Sequence, residues 1–492
     1  MHRVGHGLTI GAAVLACGCA LQPLSVDDSC ADSRRNAAGQ CCAAWTSPDG
    51  ASCVQRPWVV PAEGDGLGQS DVRSLYVAVD GRGAPIATWV EVNDTTGIVQ
   101  VAEATSGGFE VRAASVGLGG VAVQTDVAAG PDGEALIAWK QQYPSDLARV
   151  FVSEREPDGT WRDPKTEDDA FSRLPTAYEP RPRILANGER LLVWNQWMST
   201  GYGVAVADKP PGGDWHLPSD ADDVLSPHFF FSNAPQPAVN AQGDVVISWY
   251  QSDGAALLAW ESERFGYDGA FSRPAPQDYL SNREAPIDSH PIANPKPALS
   301  PGGDAAVVWT QENGKGSTLV YLATRTPEGA WTKPASLDDA LSPRLGYARC
   351  AQLAFAPTGD LFVVWYQDTG NGNRAYAAHR APDGTWIEPG REPTLLSTEG
   401  VDALYPMLAI GEDGSVLAAW SERQGDRWIV SARRRGATGT TWGPVERLSV
   451  FGTGDATQPV VAIGGPNEAA IVGWLQQEGG IEKAYFATVP AN

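Results

Sequence analysis

Four irregular loops gather the side chains best suited to chemistry in this 492-residue chain: "SRLPTAYEPRP" (172–182), "SPHFFFSNAP" (226–235), "SNREAPIDSHPIANP" (281–295) and "SPRLGYARC" (342–350). They place guanidinium, phenol, imidazole and carboxylate groups at Arg173, Tyr178, His228, Arg283, Asp288, Arg344, Tyr347 and Arg349. The run "FFF" (229–231), centred on Phe230 and preceded by His228, is the most unusual. Exposed, it would contact a ligand or partner; buried, it would plug a loop. The acidic segments "DDAFS" (168–172), "DDVLS" (222–226) and "DDALS" (338–342) offer the oxygens that calcium favours. They lack a spaced ligand loop, and charge on an outer strand also blocks edge pairing. No HExxH pair, phosphate-binding glycine loop or serine-nucleophile elbow occurs. No metal and no cofactor is therefore expected.

The N-terminus reads as an export signal: Arg3 followed by the short apolar run "LTIGAAVLA" (8–16). The next residues, "VLAC" (14–17), resemble the lipobox of bacterial lipoproteins. That resemblance implies a signal peptide over 1–16 and lipidation of Cys17. With Gly18 in place of a retaining Asp, it implies residence at the outer membrane or cell surface. An ordinary signal peptide cleaved nearby is the alternative, and either way the chain leaves the cytoplasm. Cysteine usage agrees with export. Cys30, Cys41, Cys42 and Cys53 allow the pairings 30–41/42–53 or 30–42/41–53, and spacing does not choose between them. The same segment has no His and no paired CxxC, so zinc is not expected. Cys19 and Cys350 stay unassigned. Removal of residues 1–16 takes away Arg3 and no acid, moving the formal charge from −23 to −24. Such a chain repels phosphate backbones and anionic lipid, which excludes nucleic acid as a partner and limits membrane contact to the anchor.

The loops are spaced by a repeat. A strand-like run ending in Trp, with an amide or acid two residues later, occurs eight times: "IATWVE", "LIAWKQ", "LLVWNQ", "VISWYQ", "VVWTQ", "VVWYQ", "LAAWSE" and "IVGWLQ". Gly-centred turns and further alternating runs flank each copy, so the unit reads as four antiparallel strands, A to D. Such a unit cannot bury both faces alone; stacked radially it becomes the blade of a β-propeller. The last copy lacks a D strand, whereas "PWVVP" (57–61) resembles a D strand without a unit. A strand from the N-terminal side would then close the ring. The fold predicted is all-β, a propeller of eight four-stranded blades over 57–492 behind a Cys-rich linker over 17–56, with seven blades as the alternative.

Composition bears on the site. Of 18 tryptophans, eight stand on B strands and six on D strands, leaving Trp45, Trp197, Trp260 and Trp428 outside the pattern. Burying one removes roughly 150–250 Å² from water, on the order of 4–6 kcal/mol at about 25 cal/mol/Å². The fourteen are thus read as packing between blades. The amide or acid after each B-strand Trp shares its face and needs a partner, which backbone of its own or the next blade supplies.

The C–D turns "PDGTW" (157–161 and 382–386), "PEGAW" (327–331), "PGGDW" (211–215) and "TGTTW" (438–442) resemble the Asp-box turns of sialidase-like propellers. The match is in position and ending; the leading Ser/Thr is missing. The resemblance implies a catalytic face opposite these turns, with an arginine triad for a substrate carboxylate, a Tyr nucleophile with a Glu partner, and an acidic proton donor. By that resemblance Arg173, Arg344, Arg349, Tyr347 and Asp288 are candidates for catalysis, and Tyr178, His228, Phe230 and Arg283 for binding. The leading expectation is a non-catalytic binding or scaffold protein of the cell envelope, its ligand a glycan or an extracellular protein. A sialidase-type glycoside hydrolase is the alternative.

Overall fold

The computed structural model describes residues 46–490 apart from 50–51, 94–95, 145–146, 173–175, 199–200, 221–222, 228–230, 286–294, 345, 369, 389, 391, 438, 450–451, 453 and 466–467. The signal segment, Cys17, Cys19, Cys30, Cys41, Cys42, Arg173, His228, Phe230 and Asp288 lie outside the described residues. Cys53 lies in a short hairpin, Thr46–Asp49 with Ser52–Gln55, which precedes the main body.

The chain is all-β, without an α-helix among the described residues. Eight successive antiparallel groups each pair an inner strand with a Trp-bearing second strand, and that with a third. The inner strands are Asp71–Val79, Val121–Ala129, Ala177–Ile184, Ser232–Val239, Lys296–Leu299, Tyr347–Phe355, Ala403–Ile410 and Ala456–Gly464. Each packs against the inner strand of the next group, and the eighth packs against the first. The cores lie between groups, not within them. Tyr76, Ala78 and Val90 of the first meet Val127, Ala129 and Trp139 of the second. Val460 and Ala462 of the eighth meet Val77, Val79 and Trp89 of the first.

All eight second-strand tryptophans are buried. Seven donate their indole N–H to the side chain two residues on, at 3.0–3.1 Å: Trp139 to Gln141, Trp194 to Gln196, Trp249 to Gln251, Trp309 to Gln311, Trp365 to Gln367, Trp420 to Glu422 and Trp474 to Gln476. In Gln141, Gln251, Gln311 and Gln367 the amide then reaches backbone of the preceding loop, as Gln251 Nε2 does to the Pro227 carbonyl (2.6 Å). One side chain so clips the strand end to its loop.

The fourth strand is shorter than the repeat suggests. It runs six residues, Gly108–Ala113, in the first group, but is Trp161–Arg162 in the second, Trp386–Glu388 in the sixth and Glu446–Arg447 in the seventh, and single bridges, Asp208 to His216 and Thr324 to Thr332, in the third and fifth. Pro164, Pro218 and Pro334 follow within a few residues, and a proline has no N–H to give the ladder. A Leu-Ser pair fastens the chain again further on. Leu225 N–H donates to the Val204 carbonyl (2.8 Å) while Ser226 Oγ accepts from Val204 N–H (3.0 Å). Leu280–Ser281 and Leu341–Ser342 repeat this with Ala259 and Val320. The acids ahead of these serines cap their own turns; Asp339 accepts from Ser336 N–H (2.8 Å) and Asp223 from Ser219 N–H (3.0 Å).

The segment before the first group pairs with the last strand, Ile481–Val489. Val59 N–H donates to the Thr488 carbonyl (2.7 Å) and Thr488 N–H to that of Val59 (3.0 Å). Arg56 Nη1 adds a bond to the Pro490 carbonyl (2.7 Å), and the Arg434 guanidinium lies 5.3 Å above the Trp58 ring.

Six inner strands carry a bulge whose first residue has positive φ without being glycine: Ser74, Glu179, Ala234, Cys350, Tyr405 and Gln458. Proline follows at Pro180, Pro235, Pro406 and Pro459. A bulge leaves one residue out of the ladder, so the missing N–H costs nothing there. These bulges sit at the end of the groups where the second strand finishes and the third begins. The long loops open on that same end.

Candidate functional site

Two features share this loop-bearing end. The first is axial. Opposite the residue that precedes each second-strand Trp, a place that in six strands lies directly past the bulge, the inner strands present Tyr76, Asp126, Arg181, Gln236, Lys296, Gln352, Met407 and Val460, all buried. Arg181 Nη1 bonds the Asp126 carboxylate across groups (3.3 Å), and its guanidinium lies 5.9 Å from the Tyr76 ring. Two residues on, Arg183 adds a second buried guanidinium. Burial pushes the Asp126 carboxyl up against the opposing pull of Arg181 and Arg183. Above this layer opens a cavity of about 400 Å³ lined by Arg73, Tyr76, Gln124, Thr125, Arg181 and Glu482, among others. Burial, with Asp71 beside it, also pushes Glu482 up.

The second feature is aromatic. Tyr178 opens the third inner strand, Trp197 ends the strand beside it (Arg190–Met198), and Tyr202 begins the next (Gly201–Lys209). Their rings meet with centroids 4.6 Å (Tyr178–Tyr202) and 4.8 Å (Trp197–Tyr202) apart. Phe231, from the loop into the fourth group, joins at 5.8 Å from Tyr202. Trp197 is 41% exposed and Phe231 58%, so the cluster has a free surface. Burial and the Tyr202 hydroxyl push the Tyr178 phenol far up, leaving it a neutral donor. Beneath lies a polar floor. Asn195 Nδ2 donates to Glu179 (3.1 Å) and Asn233 (2.9 Å), and Lys140 sits 5.7 Å from the Tyr178 ring. Burial lowers the Lys140 ammonium, with Glu179 opposing. Gln124 joins the two features: it lines the axial cavity and its Oε1 accepts from Glu179 N–H (3.3 Å). An aromatic face bordered by amides, a phenol and an acid can hold a sugar ring by stacking plus hydrogen bonds.

The residues singled out from sequence fall at several places. Tyr178 belongs to the platform. Arg283 pairs with Asp253 (2.7 Å) in the fourth group, and Arg344 donates to the Asp338 carbonyl (3.1 Å). Tyr347 is exposed at the start of the sixth inner strand; Arg349, two residues on, lies beside Tyr366 and Tyr405, whose rings are 5.9 Å apart. Arg344, Tyr347 and Arg349 thus share one group, apart from Tyr178 and from Arg283. The convergent groups Tyr76, Asp126, Arg181 and Arg183 were not among the candidates, nor were Trp197 and Tyr202. Trp197 and Trp260 both stand outside the repeating tryptophan pattern, yet Trp260 is buried and Trp197 is exposed, so the pattern alone does not single out Trp197.

No family model matches this chain, and no curated protein does. Solved structures do resemble it. A polysaccharide lyase is 10% identical, with 86% of this chain and 90% of that one covered and a TM-score of 0.48. An ulvan lyase is 9% identical over 71% of this chain and 89% of its own, with a TM-score of 0.44. The α-L-arabinofuranosidase of Fusarium graminearum is 11% identical over 88% and 96%, with a TM-score of 0.37.

Proposed function

We propose that this chain is an exported, lipid-anchored β-propeller of eight blades that binds glycans without turning them over. In this reading residues 1–16 are the leader, Cys17 carries the lipid, 17–56 form the linker, and the strand around Val59 closes the ring over 57–492. The protein then stands at the bacterial outer membrane or cell surface with its loop-bearing end presented to ligand. The observation that carries the reading is the platform of Tyr178, Trp197, Tyr202 and Phe231, aromatic surface left in water beside buried amides. An aromatic side chain left in water forgoes its burial energy, and ligand contact restores it.

A sialidase-type hydrolase is the second reading, favoured by one observation: Tyr76, Asp126, Arg181 and Arg183 bring a phenol, an acid and two guanidiniums together. Tyr76 is only 3% exposed, however, and a nucleophile must reach the sugar. The test is a glycan-binding screen on the mature chain, run beside turnover of a fluorogenic sialoside. Binding that Trp197→Ala weakens tenfold or more, with no turnover, supports the binding reading. Turnover lost in Tyr76→Phe would replace it with the hydrolase, and a blank screen would turn attention to protein partners.

A further inference from the structure

The outer segment of each group opens on an aromatic residue, and in all but the first a proline soon stops it. Pro61, Pro164, Pro218, Pro274, Pro334 and Pro389 stand three residues after Trp58, Trp161, Trp215, Phe271, Trp331 and Trp386, and Pro444 stands two after Trp442. Proline gives no N–H to a ladder and blunts a sheet edge. In the first group Arg112 stands three residues after Phe109, and the strand runs on as Gly108–Ala113. It pairs along its whole length with Gly97–Thr105, and no strand takes its other side among the described residues. At its far end Ala114 N–H donates to the Val99 carbonyl (2.9 Å). By the alternation of an antiparallel ladder, Glu110 and Arg112 then turn their backbone groups inward. Phe109, Val111 and Ala113 turn N–H and C=O outward. Glu110 is exposed, Val111 is 42% exposed, and Val116, just beyond, is 66% exposed.

We propose that this open edge pairs with the same edge of a second copy of the chain. The sequence of the edge is self-complementary. A two-fold axis through Val111 sets Val111 against Val111 of the second copy and Phe109 against Ala113, and so joins the outward backbone groups of both strands. The same axis sets Glu110 opposite Arg112 on either side, where opposite charges attract. Arg112 is already held by Asp163 (2.9 Å) and lies 3.9 Å over the Trp161 ring, so pairing does not have to order it. A pairing of six residues is small for an interface, and association in the micromolar range is expected. Each copy carries a formal charge of −23, but in 0.15 M salt charges more than about 8 Å apart are screened. The edge lies on the outside of the first group, and its pairing does not depend on what the loop-bearing end binds.

The test uses the mature chain carrying Cys17→Ser, so that no lipid drives association. Sedimentation equilibrium is followed from about 1 to about 100 µM, the span in which so small an interface fills. The mass should rise from that of one chain towards that of two. Val111→Pro is the key variant. The N–H it removes points away from the molecule's own ladder, so folding, checked by circular dichroism and the thermal midpoint, is preserved. It should weaken association about tenfold or more, as should Glu110→Arg, which sets like charges across the axis. Val111→Cys reads the register: paired residues about 5.5 Å apart lie within disulfide range, so mild oxidation should link two chains. Val116→Cys, more exposed but outside the pairing, should link about tenfold more slowly. Association that Val111→Pro leaves unchanged overturns the proposal, and so does a chain that stays single at about 100 µM. In that second case slow exchange of the Val111 amide would mean that another segment of the same chain covers the edge, and fast exchange would leave it to a different protein.

Discussion

Whether Gln or Glu follows each repeated tryptophan is decided by what the facing loop offers. Gln251 and Gln367 meet the carbonyls of Pro227 (2.6 Å) and Pro343 (2.9 Å), so a donor is required. Glu422 instead meets Thr398 N–H and its hydroxyl, both at 3.2 Å, and Glu91 accepts from Ser70 N–H (2.8 Å), so an acceptor is required. Gln251→Glu would set carboxylate oxygen against carbonyl oxygen, and should cost about 1–3 kcal/mol in urea unfolding. A second residue-scale expectation concerns pH. Burial, with Glu263 alongside, pushes the Glu261 carboxyl up to about 8. A carboxyl whose folded pKa exceeds its unfolded value holds more protons when folded. Its contribution is therefore full below about pH 4.5 and drains away as pH rises towards 8, on the order of a few kcal/mol. Thermal midpoints of Glu261→Gln should fall less between pH 5.5 and 8.5 than those of the parent; equal slopes would refute the assignment.

At the scale of the element, the bulges are where backbone is held against its preference. Gln458 has φ of 61°, a region costing a non-glycine residue roughly 1–2 kcal/mol. Gln458→Gly should be neutral or slightly stabilising in thermal unfolding, whereas Gln458→Val should lose at least about 1 kcal/mol, because a branched Cβ fits that region worst. Strand periodicity made the second strands readable, since Trp and Gln or Glu two residues apart must share a face and the spacing repeats. The inner strands were legible as strands, but their bulges shift register by one residue and hide which positions are equivalent. Only with the register known does Arg183 line up with alanines of other groups, such as Ala78 and Ala128. Most outer strands resisted for another reason: a single bridge or two to three residues carry little period to detect. Of the site, Tyr178 could be read from its loop. Trp197 and Tyr202 acquire meaning only when a hairpin places them against it.

For the whole molecule, the seam between Val59 and Thr488 governs integrity. A chain beginning at Pro61 would lose the Arg56 bond to Pro490, the Val59 pairing and the Trp58 ring under Arg434. Its last group should then be cut first by trypsin, after Lys483 in Ile481–Val489, while the parent resists. An unchanged digestion pattern would show that the seam does not hold the last group. The seam also sets a schedule. Arg56 and Pro490 are 434 positions apart, so the partner strand emerges from the ribosome long after the first has been made. Among the described residues this pairing joins positions more than 400 apart, and bringing remote ends together is slow. Pairing of the opening segment therefore waits for Ile481–Val489 to be made, and a chain interrupted before that strand is left with an adhesive segment and nothing to receive it.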